Sequence, residues 1–249
     1  MARARPAFLK LILSAAFLAG MLWLPSVALA EPGSLRDKMF GPRQADGLLV
    51  ARYVSEDGQS FVFDRSQRPP LIKFDNSPEV WALSSKQAPR GDVIYRNDVG
   101  KAILRSTRLG GVTLFTDLQP SGSAVSPQGA AAPLRLPAMT TQQMTERVLQ
   151  ASARASRAAK HLIQFEASAS PETAPLIADT AIVTAEAVVR ISRRREGSAM
   201  LTQVSKVTVI EGRKVGVVVR QRDLQITVVT RDGFAGRPSS DKIAAAASK

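Results

Sequence analysis

The chain has 249 residues, with 34 Lys and Arg against 21 Asp and Glu, a single His and no Cys. Lack of cysteine excludes disulfides, thiolate metal centres and cysteine nucleophiles, and one histidine, His161, excludes a multi-histidine metal site within the chain. The formal charge of +13 points to anionic partners.

Residues 1–30 read as an export signal. Arg3, Arg5 and Lys10 precede an uncharged apolar run over 11–24, and Ala28-Leu29-Ala30 is a small-residue pattern that places cleavage after Ala30. The apolar run falls short of the roughly 20 residues a spanning helix needs. The expected location is therefore periplasmic or secreted, with no transmembrane segment in the mature chain, and the missing cysteine excludes a lipoprotein. Residues 31–249 keep 31 of the basic residues and all 21 acidic ones, and 18 of those basic residues lie from 117 onward. An exported basic protein meets lipid head groups, anionic envelope polymers and other envelope proteins; nucleic acid is an unlikely partner in that compartment. Residues 31–47, with Pro32, Gly33, Gly41 and Pro42, read as a leader with a helical turn or two at 35–40.

Over 48–116 apolar alternation and turn signals agree for many consecutive elements, predicting a β-meander that forms a small barrel or a sandwich. Strands are expected at 48–54, 60–64, 71–75, 80–83, 92–96, 102–107 and 112–116. Asp57-Gly58 supplies a hairpin reversal, Pro69-Pro70 cannot donate ladder hydrogen bonds, and Asn97 to Gly100 and Leu109-Gly110-Gly111 mark later turns. Phe61, Phe63, Phe74, Trp81, Tyr95 and Phe115 concentrate aromatic surface here, each ring worth roughly 1.5–3 kcal/mol when buried.

Residues 117–138, rich in Pro, Gly, Ser and Ala, read as a flexible linker to a second domain at 139–249. A helix is predicted over 140–169, capped by Thr140 or Thr141 with Gln143 or Met144 three residues on, a partial capping-box match in the first case. Met144, Val148, Ala151, Ala155, Ala158, Leu162 and Phe165 recur on one stripe, whereas Arg147, Arg154, Arg157 and Lys160 fall off it. His161 reads as a partly exposed helix residue.

A second helix is predicted over 176–191, packed antiparallel to the first, although Ile182-Val183-Thr184 and Val188 to Ile191 leave a strand open. Arg190, Arg193, Arg194 and Arg195 suit the partially negative end of such a helix. Valine-rich runs at 204–210, 214–220 and 224–230 predict a three-stranded antiparallel sheet covered by the two helices. Ser239-Ser240-Asp241 would cap a short terminal helix that frays. The expected fold class is α+β.

The chain carries no G-x-S-x-G elbow, phosphate-cradling glycine loop or H-E-x-x-H. No cofactor and no metal is expected, and no catalytic residue is assigned. The candidate anion-binding residues are Arg147, Arg154, Arg157, Lys160, Arg190, Arg193, Arg194 and Arg195. The leading expectation is a non-enzymatic envelope protein that binds an anionic envelope component or a protein partner. The rival is an envelope hydrolase using serine or carboxylate chemistry in the β-meander, where Asp64, Asp75, Asp92 and Asp98 sit at strand ends.

Four segments carry a resemblance. They are 74–83 (FDNSPEVWAL), 90–98 (RGDVIYRND), 108–115 (RLGGVTLF) and 233–240 (GFAGRPSS). Together they resemble a family of exported bacterial proteins known as a domain of unknown function. The resemblance spans the mature chain, implies that its two halves travel together, and brings no catalytic residue, ligand or partner.

Overall fold

In the computed structural model the described residues are 48–248; the expected signal peptide with its cleavage after Ala30, and the leader at 31–47, lie outside them. The first nine strands are β1 (Val50–Ser55), β2 (Ser60–Asp64), β3 (Leu71–Phe74), β4 (Val80–Ala82), β5 (Ser84–Gln87), β6 (Val93–Arg96), β7 (Ala102–Ser106), β8 (Val112–Leu114) and β9 (Ser123–Ala130). They form one antiparallel sheet in the order β4-β3-β2-β1-β9-β8-β7-β6-β5. The two edge strands, β4 and β5, are separated in sequence by Leu83 alone, so the sheet must curl until its edges meet. Leu83 donates its N–H to Pro70 O at 2.8 Å and is fully buried. The result is a nearly closed barrel, filled by Tyr53, Phe61, Phe63, Ile72, Leu83 and Tyr95 among others. Ring contacts at 5.0–5.9 Å between centroids lock these side chains in tilted, stacked and edge-on pairs.

The stretch 117–138 is not the flexible linker expected from its composition. Strand β9 lies within it and pairs with β1 on one side and β8 on the other, so it closes the ring. Its side chains are mostly exposed, and its place is held by backbone hydrogen bonds, which composition does not report. Pro127 has no N–H to give and sits opposite Tyr53, where the register shifts, a position that tolerates proline. The described residues, 48–248, also fall within one compact unit, not in two domains. Leu71 and Val80 on the outside of the barrel pack with Phe234 from the rear half.

That half contains α1 (Thr141–Ala159), β10 (Gln164–Ala167), α2 (Ala174–Ser192), α3 (Gly197–Leu201), β11 (Lys206–Glu211), β12 (Gly216–Arg220), β13 (Asp223–Val228) and α4 (Ser240–Ala247). Of the two candidate caps it is Thr140 that forms the capping box: Gln143 N–H donates to Thr140 Oγ1 at 3.2 Å and Thr140 N–H to Gln143 Oε1 at 3.0 Å. The helix, however, ends at Ala159. Lys160 turns left-handed, the hydroxyls of Ser152 and Ser156 donate to Ile163 O, and the chain runs back along α1 as β10. Phe165 keeps its place on the apolar side as a strand residue, while Leu162 is 73% exposed.

Residues 176–191 are helical, with twelve buried residues in α2. Thr180 and Thr184 are buried because their hydroxyls donate back to Leu176 O and Thr180 O, each at 2.7 Å. The small sheet has the order β10-β11-β13-β12, with β10, β11 and β13 mutually parallel and β12 antiparallel to β13. The expected three-stranded antiparallel sheet is therefore corrected. A parallel β10–α2–β11 crossover returns α2 against the strand direction, so α1 and α2 run the same way and not antiparallel as expected. Phe165, Val207, Val209, Leu224, Ile226 and Val228 face the helices, and the opposite face is polar. The terminal helix α4 is docked through Ile243 and Ala244, both fully buried.

Gly122 holds the turn into β9 at φ +92°, and an added Cβ would stand 2.6 Å from Thr113 Cγ2 and 2.9 Å from Phe115 Cε1. Gly122→Ala is expected to lower stability by about 1–3 kcal/mol in urea unfolding; a tether free of the barrel would leave stability unchanged.

Candidate functional site

The halves are joined by a buried polar clasp. Glu79, in the β3–β4 loop, is 1% exposed. Ser240 at the start of α4 donates its N–H to Glu79 Oε1 at 2.8 Å and its hydroxyl to Oε2 at 2.5 Å. Arg237 Nη1 and Arg190 Nη2 stand 3.8 and 3.9 Å away, close enough for charge balance though not for hydrogen bonds. The Arg237 side chain is itself 1% exposed; its Nε donates to Asp179 of α2 and its Nη2 to Val80 O at 2.9 Å. Around them Asp98 accepts from the Ser239 N–H (2.8 Å) and hydroxyl, and Asn97 donates to Asp241 at 2.9 Å. Burial pushes the Glu79 carboxyl up, against the opposing pull of Arg237 and Ser240. No buried side-chain polar atom among the described residues lacks a partner.

Glu79, Asp179 and Arg237 were missed by sequence reasoning, which treated Ser239 and Ser240 as caps only and gave Asp98 and Arg190 other roles. Ser239 does cap α4, accepting from Lys242 N–H at 3.1 Å. The only available signal was that Glu79, Asp98, Arg237, Ser239 and Ser240 all fall in the segments carrying the family resemblance.

The four carboxylates singled out for acid and base work do not converge. Asp64 accepts from Ser66, Gln67 and the Leu134 N–H, and although burial pushes its carboxyl up, these hydrogen bonds hold it below the usual range. Asp75 pairs with Arg52, Asp92 with Arg105, and Asp98 belongs to the clasp. His161 stands between Ala159 O (3.1 Å from Nδ1) and Val204 O (2.8 Å from Nε2), tying the end of α1 to the loop before β11.

The predicted cations separate into two groups. Arg154 donates to Glu186 at 2.5 Å, Arg190 pairs with Asp241 next to Glu79, and Arg147 is exposed on the first half of α1. The others gather. Both long helices end on the side where β10, β11 and β13 begin, which brings together Arg157, Lys160, Arg193, Arg194 and Arg195, all exposed. Two further exposed cations join, Arg220 at the end of β12 and Arg222 in the β12–β13 turn, which periodicity could not place. Gln164 N–H donates to Ser205 O at 3.0 Å, Ser205 N–H to Arg222 O at 3.0 Å, and Arg222 Nη2 to Thr202 O at 3.1 Å. Arg194 donates to the Ser248 hydroxyl at 3.2 Å. This basic end exposes seven cations, with Glu196 the exposed carboxylate in the loop after α2.

On the opposite side, a groove of about 510 Å³ runs between α1 and the ends of β10 and β11, lined by Met144, Val148, Leu149, Phe165, Val209 and Ile210 among others. No group of acidic residues or histidine among the described residues is arranged to hold a metal ion, and no helix among them is long and apolar enough to cross a membrane.

The fold and its clasp define an α+β protein in which a nearly closed antiparallel barrel is fastened to a helix-covered mixed sheet. The chain belongs to the family described as domain of unknown function (DUF4908), which matches residues 34–247. No curated protein and no solved structure matches it.

Removing one partner of a buried charge pair leaves the other unanswered, so Arg237→Ala is expected to cost about 3–5 kcal/mol in denaturant unfolding. Because the Glu79 carboxyl is raised in the fold, its contribution is present at low pH and lost as pH rises through the folded value. On acidification from about pH 7 to about pH 5 the native protein should therefore gain melting temperature relative to Glu79→Gln; a gap that does not move would refute the raised carboxyl.

Proposed function

We propose that the protein is a non-enzymatic envelope protein, exported on its N-terminal signal, whose basic end binds a phosphate-bearing anionic component of the envelope. The observation that carries this reading is Arg222. The two-residue turn between β12 and β13 holds Gln221 at φ +57° and Arg222 at φ +118°, left-handed positions that glycine or asparagine adopts at far lower cost. A strained arginine in place of glycine fits selection for its charge. Arg193, Arg194 and Arg195 at the end of α2 also satisfy that helix's negative pole, yet three in succession exceed what one terminus requires. Leu162, exposed beside Lys160, suits contact with the acyl boundary when the phosphate belongs to a lipid.

Sedimentation with vesicles rich in anionic phospholipid, and titration with inorganic polyphosphate, separate the two phosphate sources. At about 1 kcal/mol per cation near an anionic surface, the triple substitution Arg193→Ala, Arg194→Ala, Arg195→Ala should weaken binding about a hundredfold or more, and raised salt should do the same. Leu162→Ala should weaken vesicle binding alone. Arg222→Gly should raise the melting temperature while lowering affinity. Binding indifferent to salt and to the triple substitution would refute the proposal.

A further inference from the structure

One mouth of the barrel opens where the β1–β2 turn, the β3–β4 loop and the segment after β8 meet the last turn of α2. A cavity of about 170 Å³ there is lined by the aromatic side chains of Phe74, Trp81 and Phe115 and by the polar ones of Gln59, Asn76 and Arg190, among others. It adjoins a depression of about 400 Å³ that shares Gln59 and Asn76. Trp81 is backed by the core: its ring meets Phe74 edge-on at 5.9 Å, and Phe74 in turn meets the fully buried Phe61 at 5.6 Å. The ring is thus held from behind by the aromatic stack while staying partly exposed.

The rest of the lining sets the chemistry of an occupant. The side-chain amides of Gln59 and Asn76 make no hydrogen bond among the described residues, so each offers both donors and an acceptor. The cations are already answered: Arg190 pairs with Asp241 and Lys101 with Asp117, while in the depression Asp75 pairs with Arg52 and Asp57 accepts from the Ser55 hydroxyl. An anion finds no spare cation here, and the volume is below that of pockets for drug-sized molecules. A ring bearing several hydroxyls meets both conditions, since each hydroxyl donates and accepts while the C–H face of the ring lies on an indole.

We infer that this mouth is a saccharide-binding site, taking one uncharged sugar ring against Trp81 with its hydroxyls on Gln59 and Asn76, and letting a longer chain continue over the adjoining depression. The inference is independent of the basic end.

The chain's two tryptophans are Trp23 and Trp81, so the full chain carrying Trp23→Phe reports on the mouth by its own fluorescence. Triacetylchitotriose and maltotriose serve as neutral probes, with sorbitol as an acyclic polyol control. A saturable change in Trp81 emission is expected with at least one of the saccharides, unaltered by salt and absent with sorbitol. Asn76→Ala lies in an exposed loop and should leave the melting temperature in place while weakening saccharide binding about tenfold, the value of one or two lost hydrogen bonds. The triple substitution of Arg193, Arg194 and Arg195 by alanine should bind saccharide like its parent, which separates failure here from failure of the polyanion reading. No saturable response to either saccharide, an equal response to sorbitol, or unchanged binding by Asn76→Ala would overturn the inference.

Discussion

A carboxylate removed from water must be answered from several directions at once, and Glu79 is answered by groups that only the completed fold brings together. Ser240 lies 161 residues away in sequence and donates two hydrogen bonds to it. Arg237 balances the charge while also spanning from α2, through Asp179, to the barrel, through Val80 O. If the barrel and the rear half separated, Glu79 would lose Ser240 and both neighbouring guanidinium groups, and Arg237 would keep Asp179 but lose Val80 O and Glu79. Partly satisfied buried networks are unfavourable enough that such a clasp is nearly all-or-none. The docking of the halves is thus a condition of the barrel's own loop geometry, and the small apolar contact of Leu71, Val80 and Phe234 is its complement.

How much of this was legible depended on whether side chains or backbone did the work. The aromatic strands send every second residue into the barrel core, Ala51 and Tyr53, Phe61 and Phe63, Ile72 and Phe74, and that spacing announces them; so does the Thr140 capping box. Strand β9 and strand β5, whose four residues are all exposed, are held by main-chain pairing and leave no apolar period. Strand β10 was hidden for another reason: Phe165 stands where a continued α1 would also have placed an apolar residue, so one stripe fitted both conformations. The signal that separates them is the pair of serines, Ser152 and Ser156, which fold the chain back by bonding Ile163. Once β10 is a strand, the crossover through α2 makes the sheet parallel and turns the helices to the same direction.

That direction decides where charge collects. Antiparallel helices would have put Lys160 and the Arg193–Arg195 run at opposite ends of the rear half, and the predicted cations would form no site. Parallel helices add their negative poles at one end, where cations from two helix ends and the β12–β13 turn meet. Arg154 and Arg190, inseparable from the others by composition, are instead consumed by Glu186 and Asp241.

Helix α2 also fixes the relation between the two surfaces. Its last turn contributes Arg190 to the lining of the barrel mouth, and Arg193 to Arg195 follow within one further turn toward the basic end. Twelve of its nineteen residues are buried, so the helix cannot shift to serve one surface without disturbing the core of the rear half. A mouth with no charge to spare and an end with charge in excess are therefore held a helical turn or so apart.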